Sequence, residues 1–227
     1  SIVNTLLFSG GAIALELSVG TFIAVLLVRL PRYAGALIRP LLTVPLLISP
    51  IVVGLIWRYI YDPQGIFYWF LGLFGMTIDH FPGVTAASTA LFSTIVAHSW
   101  EVVPFVIIVL TAGLVSIPTD LYEAAYMDGA GEFTVFWKIS FPLLKDVYMV
   151  ILLISGVDTI KIFDIIYSLT GGGPNNSTIS ISMYAFNQAF MQNNMSYAMT
   201  LSMVAMVITF VIFGVPFVRR NRRRAQG

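Results

Sequence analysis

The 227 residues are 58% hydrophobic and only 10% charged, with a mean hydropathy of +0.89. A soluble domain carries about 25% charged residues, so the composition excludes an ordinary water-soluble fold. The long apolar blocks point instead to an all-α membrane protein. The net charge of +1 hides an asymmetry along the chain, and with no cysteine present neither disulfides nor thiol chemistry enter.

The chain opens at Ser1 on an apolar run with no basic segment and cleavage site before it, so no signal peptide is read there. Five stretches are long and apolar enough to cross a bilayer: 5–28, 37–60, 90–114, 147–169 and 196–218. Together they make 1–218 a transmembrane unit with a loop at 117–145, followed by a basic tail at 219–227. Residues 65–76 are apolar and aromatic but too short to span, and are predicted to form an interfacial helix. Residues 177–192 have a helical pattern but carry Ser, Asn and Gln throughout. They are placed on the outer side or as a partly re-entrant segment.

Basic residues orient the spans. Arg29, Arg32 and Arg39 lie between spans one and two, and Lys138 and Lys145 between spans three and four. Arg219, Arg220, Arg222, Arg223 and Arg224 follow span five, so ten of the twelve Lys and Arg fall on one side. The connections 61–89 and 170–195 contain none. The positive-inside rule places the 117–145 loop and the C-terminus in the cytoplasm, and residue 1 outside. For the arginine-rich tail, contact with anionic lipid is expected and nucleic acid is not.

The loop is polar and broken by turns. Pro118, Thr119 and Asp120 read as a helix start, with Glu123 placed as in a capping box. A short helix over 121–127 is broken at Asp128-Gly129-Ala130-Gly131. It resumes over 133–139 with Phe133, Phe136 and Trp137 as an apolar stripe, and Pro142 stops it. From these residues alone, a knob that docks on a soluble partner and an ordinary amphipathic surface loop both remain open.

Glu123-Ala124-Ala125, then Gly129, Ile139 and Pro142, resemble the EAA loop of ATP-binding-cassette importer permeases at every spacing, with Phe141 where leucine is usual. The run SIPTDLYEAAYMDGAG, and Thr170-Gly171-Gly172-Gly173-Pro174 after span four, are similar to the maltose, multiple-sugar and glycerol-phosphate branch. The resemblance implies a sixth span upstream of residue 1. It implies that Asp120, Glu123, Ala124, Ala125, Asp128, Gly129 and Gly131 couple the chain to an ATPase. Implied partners are a second homologous permease, two copies of a cytoplasmic ATPase that bind ATP and Mg, and an external solute-binding protein. The chain itself has no Walker motif and no cofactor of its own is expected. Gly171–Gly173 read as a tight turn at a helix end.

Charges inside the membrane cost about 2.5–3.5 kcal/mol each even on the insertion scale. Asp158, Lys161 and Asp164 are spaced to share one face of span four, and His98, Glu101 and Phe105 one face of span three beside Trp100. Two readings stand: an internally neutralised ion network, or the lining of a translocation path. In the resembled branch the solute sits against these two segments, which implies a path of Trp100, Glu101, Phe105, Asp158, Lys161 and Asp164. Carboxylates and aromatic rings suit sugar hydroxyls and ring faces, and Lys161 alone is little to hold an anion such as glycerol phosphate. Glu16 in span one has no charged neighbour on its own helix, and His98 reads as a hydrogen-bonded core histidine. Asn187 and Gln188 are placed facing water or a partner, and the methionines of span five as packing. No protease motif accompanies Ser99, and the chain shows no internal repeat of the kind common in proton-driven carriers.

Overall fold

The computed structural model describes residues 1–75 and 81–217. The end of the expected interfacial stretch, Met76, and the basic tail at 219–227 lie outside the described residues. No strand occurs among those described. Among the described residues three helices are long and apolar enough to cross a membrane: α1 (Ile2–Arg29), α5 (Ala87–Val115) and α11 (Met195–Phe217). Two bent helix pairs bring the number to five if each is one span.

Helix α1 is a single apolar run that stops where Leu30, extended at φ −70° and ψ 145°, precedes Pro31. It packs along α5, and small residues set the approach. A Cβ on Gly11 would press on Ile95 and one on Gly20 on Val106, while Ala12 and Ala24 are fully buried. Pro104 lies inside α5 without breaking it.

Span two is not one helix. Helix α2 (Arg32–Thr43) passes through a 3-10 turn at Val44–Leu47, and α3 (Pro50–Ile60) leaves at 100°. Pro45 and Pro50 each lack an N–H, and Ser49 before Pro50 is extended, so the helical ladder cannot run through. Within the expected stretch a short helix, α4 (Ile66–Gly72), forms and is held by Tyr68, whose hydroxyl donates to Phe81 O at 3.0 Å.

After α5, helix α6 (Thr119–Met127) starts at Thr119, with Pro118 as its cap residue and no side-chain cap hydrogen bond. The expected capping box is therefore absent, because Thr119 is already inside the helix. The helix ends in a Schellman turn: Ala130 N–H donates to Ala125 O at 2.9 Å and Gly129 N–H to Tyr126 O at 3.0 Å, with Gly129 at φ +76°. Helix α7 (Glu132–Leu143) follows. Pro142 does not stop it. The helix widens into a π turn at Phe136–Ser140, where Phe141 N–H reaches Phe136 O, and the break comes at Leu144, where the axis turns by 69° into α8 (Lys145–Ile160).

Span four also differs from the expected continuous helix. Helix α8 ends at Ile160, residues 161–163 are non-helical, and α9 (Asp164–Leu169) resumes. The freed Ile162 carbonyl accepts from the Ser180 hydroxyl at 2.7 Å, and Ser180 Oγ in turn caps α10 (Ile181–Phe186) by accepting from Met183 N–H at 3.1 Å. Ile181 N–H donates to Thr5 Oγ1 of α1 at 2.9 Å. Helix α10, extended by a π turn to Met191, is thus wedged between α1 and the break, which makes Gln188 a buried residue. The preceding loop turns at Gly171 and Gly172, with φ +61° and +87°, and closes through Thr170 and Thr178, whose hydroxyl oxygens are 2.7 Å apart. Helix α11 meets α8 where Phe213 fills the space a Cβ on Gly156 would take, yet Met199, Met203 and Met206 stand largely exposed along the groove between α11, α8 and α10.

Helices α3 and α9 cross at Gly54, where an added Cβ would collide with Ser168 Oγ and stand 3.1 Å from Ile165 O. We expect Gly54→Ala to destabilise the fold by roughly 1–3 kcal/mol, read as a lower Tm in detergent; an unchanged Tm would show that the two helices part freely. Gly129 has open space around its Cβ position but a left-handed backbone. Gly129→Ala should therefore cost only about 1 kcal/mol, seen as faster hydrogen exchange confined to the α6–α7 turn, with Gly129→Asn milder.

Candidate functional site

The break in span four gathers the intramembrane charges. Glu101, the central residue of α5 and nearly buried, lines a cavity of about 90 Å³ together with His98, Pro50, Asp158, Lys161, Ile162, Phe163 and Asp164. The three span-four residues reach it differently from the one-face expectation. Asp158 stands on the last turn of α8, Lys161 in the break, and Asp164 on the first turn of α9. Lys161 N–H donates to Asp158 O at 3.1 Å, which closes the helix end and turns the lysine toward the gap. Among the described residues Lys161 makes no ion pair, so three carboxylates and one ammonium share this space without direct neutralisation.

A second hollow of about 500 Å³ adjoins the first and shares Val102, Asp158 and Lys161 with it. Phe105, Leu46 and Leu153 supply apolar wall. Trp100 lies outside both. It is partly exposed and packs edge-on against Trp57 of α3, with ring centroids 6.0 Å apart. His98 is buried with no hydrogen-bond partner on either ring nitrogen, which differs from the satisfied core histidine expected from sequence. Its Nε2 lies 3.5 Å from Oε1 of the fully buried Glu16, so the partner that Glu16 lacks on its own helix is supplied by span three. Among the described residues no group of three or more His, Cys, Asp or Glu is arranged to hold a metal.

The second site is the knob formed by α6 and α7. No residue of α6 is buried. Asp120, Glu123, Ala124, Asp128, Gly129 and Gly131 are exposed and Ala125 is half-buried, while Leu121, Met127 and Phe133 stand exposed beside them. The knob is nevertheless anchored. Tyr122 and Ser140 join α6 to α7 through hydroxyl oxygens 3.1 Å apart. Arg29 at the end of α1 forms an ion pair with Glu132, which sets the knob on the side of the membrane where span one ends. Rings of Trp137, Phe141 and Tyr148 run from α7 into α8 with centroids 5.1 and 5.3 Å apart, and Tyr148 Oη is 2.9 Å from Thr21 Oγ1 of α1. Ile117 and Leu144, on either side of the knob, are buried in one cluster with Leu110, Leu114 and Ile151.

Sequence reading did not find Pro50 as a cavity residue or the Ser180 contact to the break. Pro50 carries the signal of a helix start, whereas a hydroxyl 18 positions away carries none that is local.

With both sites described, the chain can be set beside known proteins. Residues 16–226 match the family described as binding-protein-dependent transport system inner membrane component. The chain is 39% identical over 184 residues to the trehalose/maltose transport system permease protein MalF of Thermococcus litoralis, covering 81% of this chain and 61% of that protein. It is 31% identical over 224 residues to the sn-glycerol-3-phosphate transport system permease protein UgpA of Rhizobium meliloti, covering 96% of this chain and 74% of that one. The chain therefore spans about three fifths to three quarters of these relatives. Its fold matches a chain of a bacterial alginate ABC transporter, solved in complex with an alginate pentasaccharide-bound periplasmic protein. There the TM-score is 0.84 at 23% identity, over 99% of this chain and 78% of that chain. The protein belongs to the binding-protein-dependent transport system inner membrane component family.

Proposed function

We propose that this chain is the membrane-spanning permease subunit of an ATP-driven importer, carrying a sugar or oligosaccharide into the cell by alternating access. The observation that carries the reading is the knob: α6 buries none of its residues, presents Leu121 and Met127 beside Glu123, and is tied through α7 to spans one, three and four. An exposed apolar patch rimmed by charge marks a protein contact. Because the helices around it are rigidly joined, a partner that moves the knob moves the spans. That partner is a cytoplasmic ATPase, present in two copies and binding the ATP and Mg. The remaining assembly is a second homologous permease and an external solute-binding protein. The exposed face of α11, with its large apolar groove of about 1070 Å³ against α8 and α10, leaves surface for the second permease or for lipid. In this orientation the knob and the C-terminus face the cytoplasm.

A sugar is favoured over a phosphate ester by the charge of the mid-membrane cavity. Glu101, Asp158 and Asp164 face a single lysine, and carboxylates accept hydrogen bonds from hydroxyls but repel anions at low dielectric. The likeness to a glycerol-phosphate permease keeps that substrate as the second reading.

Glu123→Ala should weaken co-purification of the ATPase and lower ATP-driven uptake of maltose or trehalose into proteoliposomes by about tenfold or more, a loss of about 1.4 kcal/mol or greater at the contact. Normal uptake in that variant would sink the docking assignment. Uptake that follows a proton gradient in the absence of ATP would instead make the chain part of a secondary carrier.

A further inference from the structure

Glu16 stands at the centre of α1, as Glu101 does at the centre of α5, and no part of it is exposed. Neither of its carboxylate oxygens has a hydrogen-bond partner among the described residues, and the same holds for both nitrogens of His98. The 3.5 Å between Oε1 and Nε2 is long for a hydrogen bond but close enough for one after a small ring rotation. The Ser155 hydroxyl of α8, a helix packed on α1, is likewise buried without a hydrogen-bond partner among the described residues. His98 rests on the Phe8 ring, with centroids 5.4 Å apart, and forms part of the wall of the polar cavity.

Packing alone would not select glutamate here. An apolar side chain of similar size fills such a space without desolvation, and exchanging buried charged groups for packed hydrophobics is often neutral or stabilising. Acids retained at this depth mark function. A neutral imidazole donates from one nitrogen and accepts at the other. A carboxylate facing Nε2 holds the proton there and leaves Nδ1 as the acceptor, as outer partners of histidine do elsewhere.

We propose that Glu16 is a positioning residue of the solute path that acts through His98, fixing the tautomer and angle of the imidazole in the cavity wall. Nδ1 itself is buried, so the fixed ring acts by shaping the wall that a hydroxylated, uncharged solute meets beside Glu101. The proposal rests on the importer reading above.

The test uses the complete transporter in proteoliposomes, with maltose and trehalose as probes. Glu16→Leu should raise the KM of ATP-driven uptake by about tenfold with a smaller change in Vmax. Glu16→Gln, whose amide oxygen still accepts from Nε2, should keep KM within about threefold. Because Glu16 acts through His98, the double variant Glu16→Leu/His98→Leu should be no worse than His98→Leu alone. Additive effects, or an unchanged KM in Glu16→Leu, overturn the proposal. If Glu16→Leu fails to assemble, Glu16→Ser against Glu16→Gln makes the same comparison, because serine cannot reach the ring; equal KM values for those two overturn it. Absence of ATP-driven uptake of either sugar by the unsubstituted transporter overturns the sugar reading itself, and that result is seen before any substitution is made.

Discussion

Within a bilayer every backbone N–H and C=O must be satisfied by the protein itself, and span four meets that constraint where its helix stops at Ile160 and restarts at Asp164. The break persists because Ser180 donates to the Ile162 carbonyl, and because α10 is pinned in place by its own cap and by Thr5. An unbroken helix would set Asp158, Lys161 and Asp164 along one face, but the wedge accompanies a break instead. With it they surround a gap that Glu101 and His98 enter from the neighbouring helix. Discontinuous helices at mid-membrane are where transporters of other kinds place their solute sites, which is in keeping with the solute path proposed above.

The knob is packed against the helices that line the cavity. Buried Ile117 and Leu144 flank α6 and α7 and share one cluster with Leu110 and Ile151, which sit on spans three and four. Aromatic contacts continue from Trp137 to Tyr148 and reach span one at Thr21. The Arg29–Glu132 pair is about half exposed on both sides, so it orients the knob more than it stabilises it. Continuous packing thus joins the knob to the helices that carry Glu101 and Asp158, whereas the turn at Gly129 stands outside it with open space around its Cβ position.

Much of this was legible from the residues. The long apolar runs of α1, α5 and α11, the turns at Gly129 and Gly171, and the short helix α4 all follow from local rules of hydropathy, glycine conformation and aromatic placement. Local rules also misled. Spacing suggested a capping box at Asp120 and Glu123, but the chain entered the helix two residues earlier, at Thr119, with Pro118 at the cap position. Pro142 looked like a stop, yet a π turn absorbed its missing donor and the helix ran on to Leu143.

The amino-acid sequence by itself determined that the chain crosses a membrane, which connections carry the positive charge, and which polar residues lie at depth, because each of these depends on composition along a short window. Only the tertiary structure decided that span four breaks, that Gln188 is buried, that Trp100 turns away from the cavity, and that Glu16 meets His98. Those outcomes hang on partners many positions away. Ser180 reaches Ile162 across 18 residues and Thr5 meets Ile181 across 176, and no local pattern encodes which distant group will satisfy a buried one.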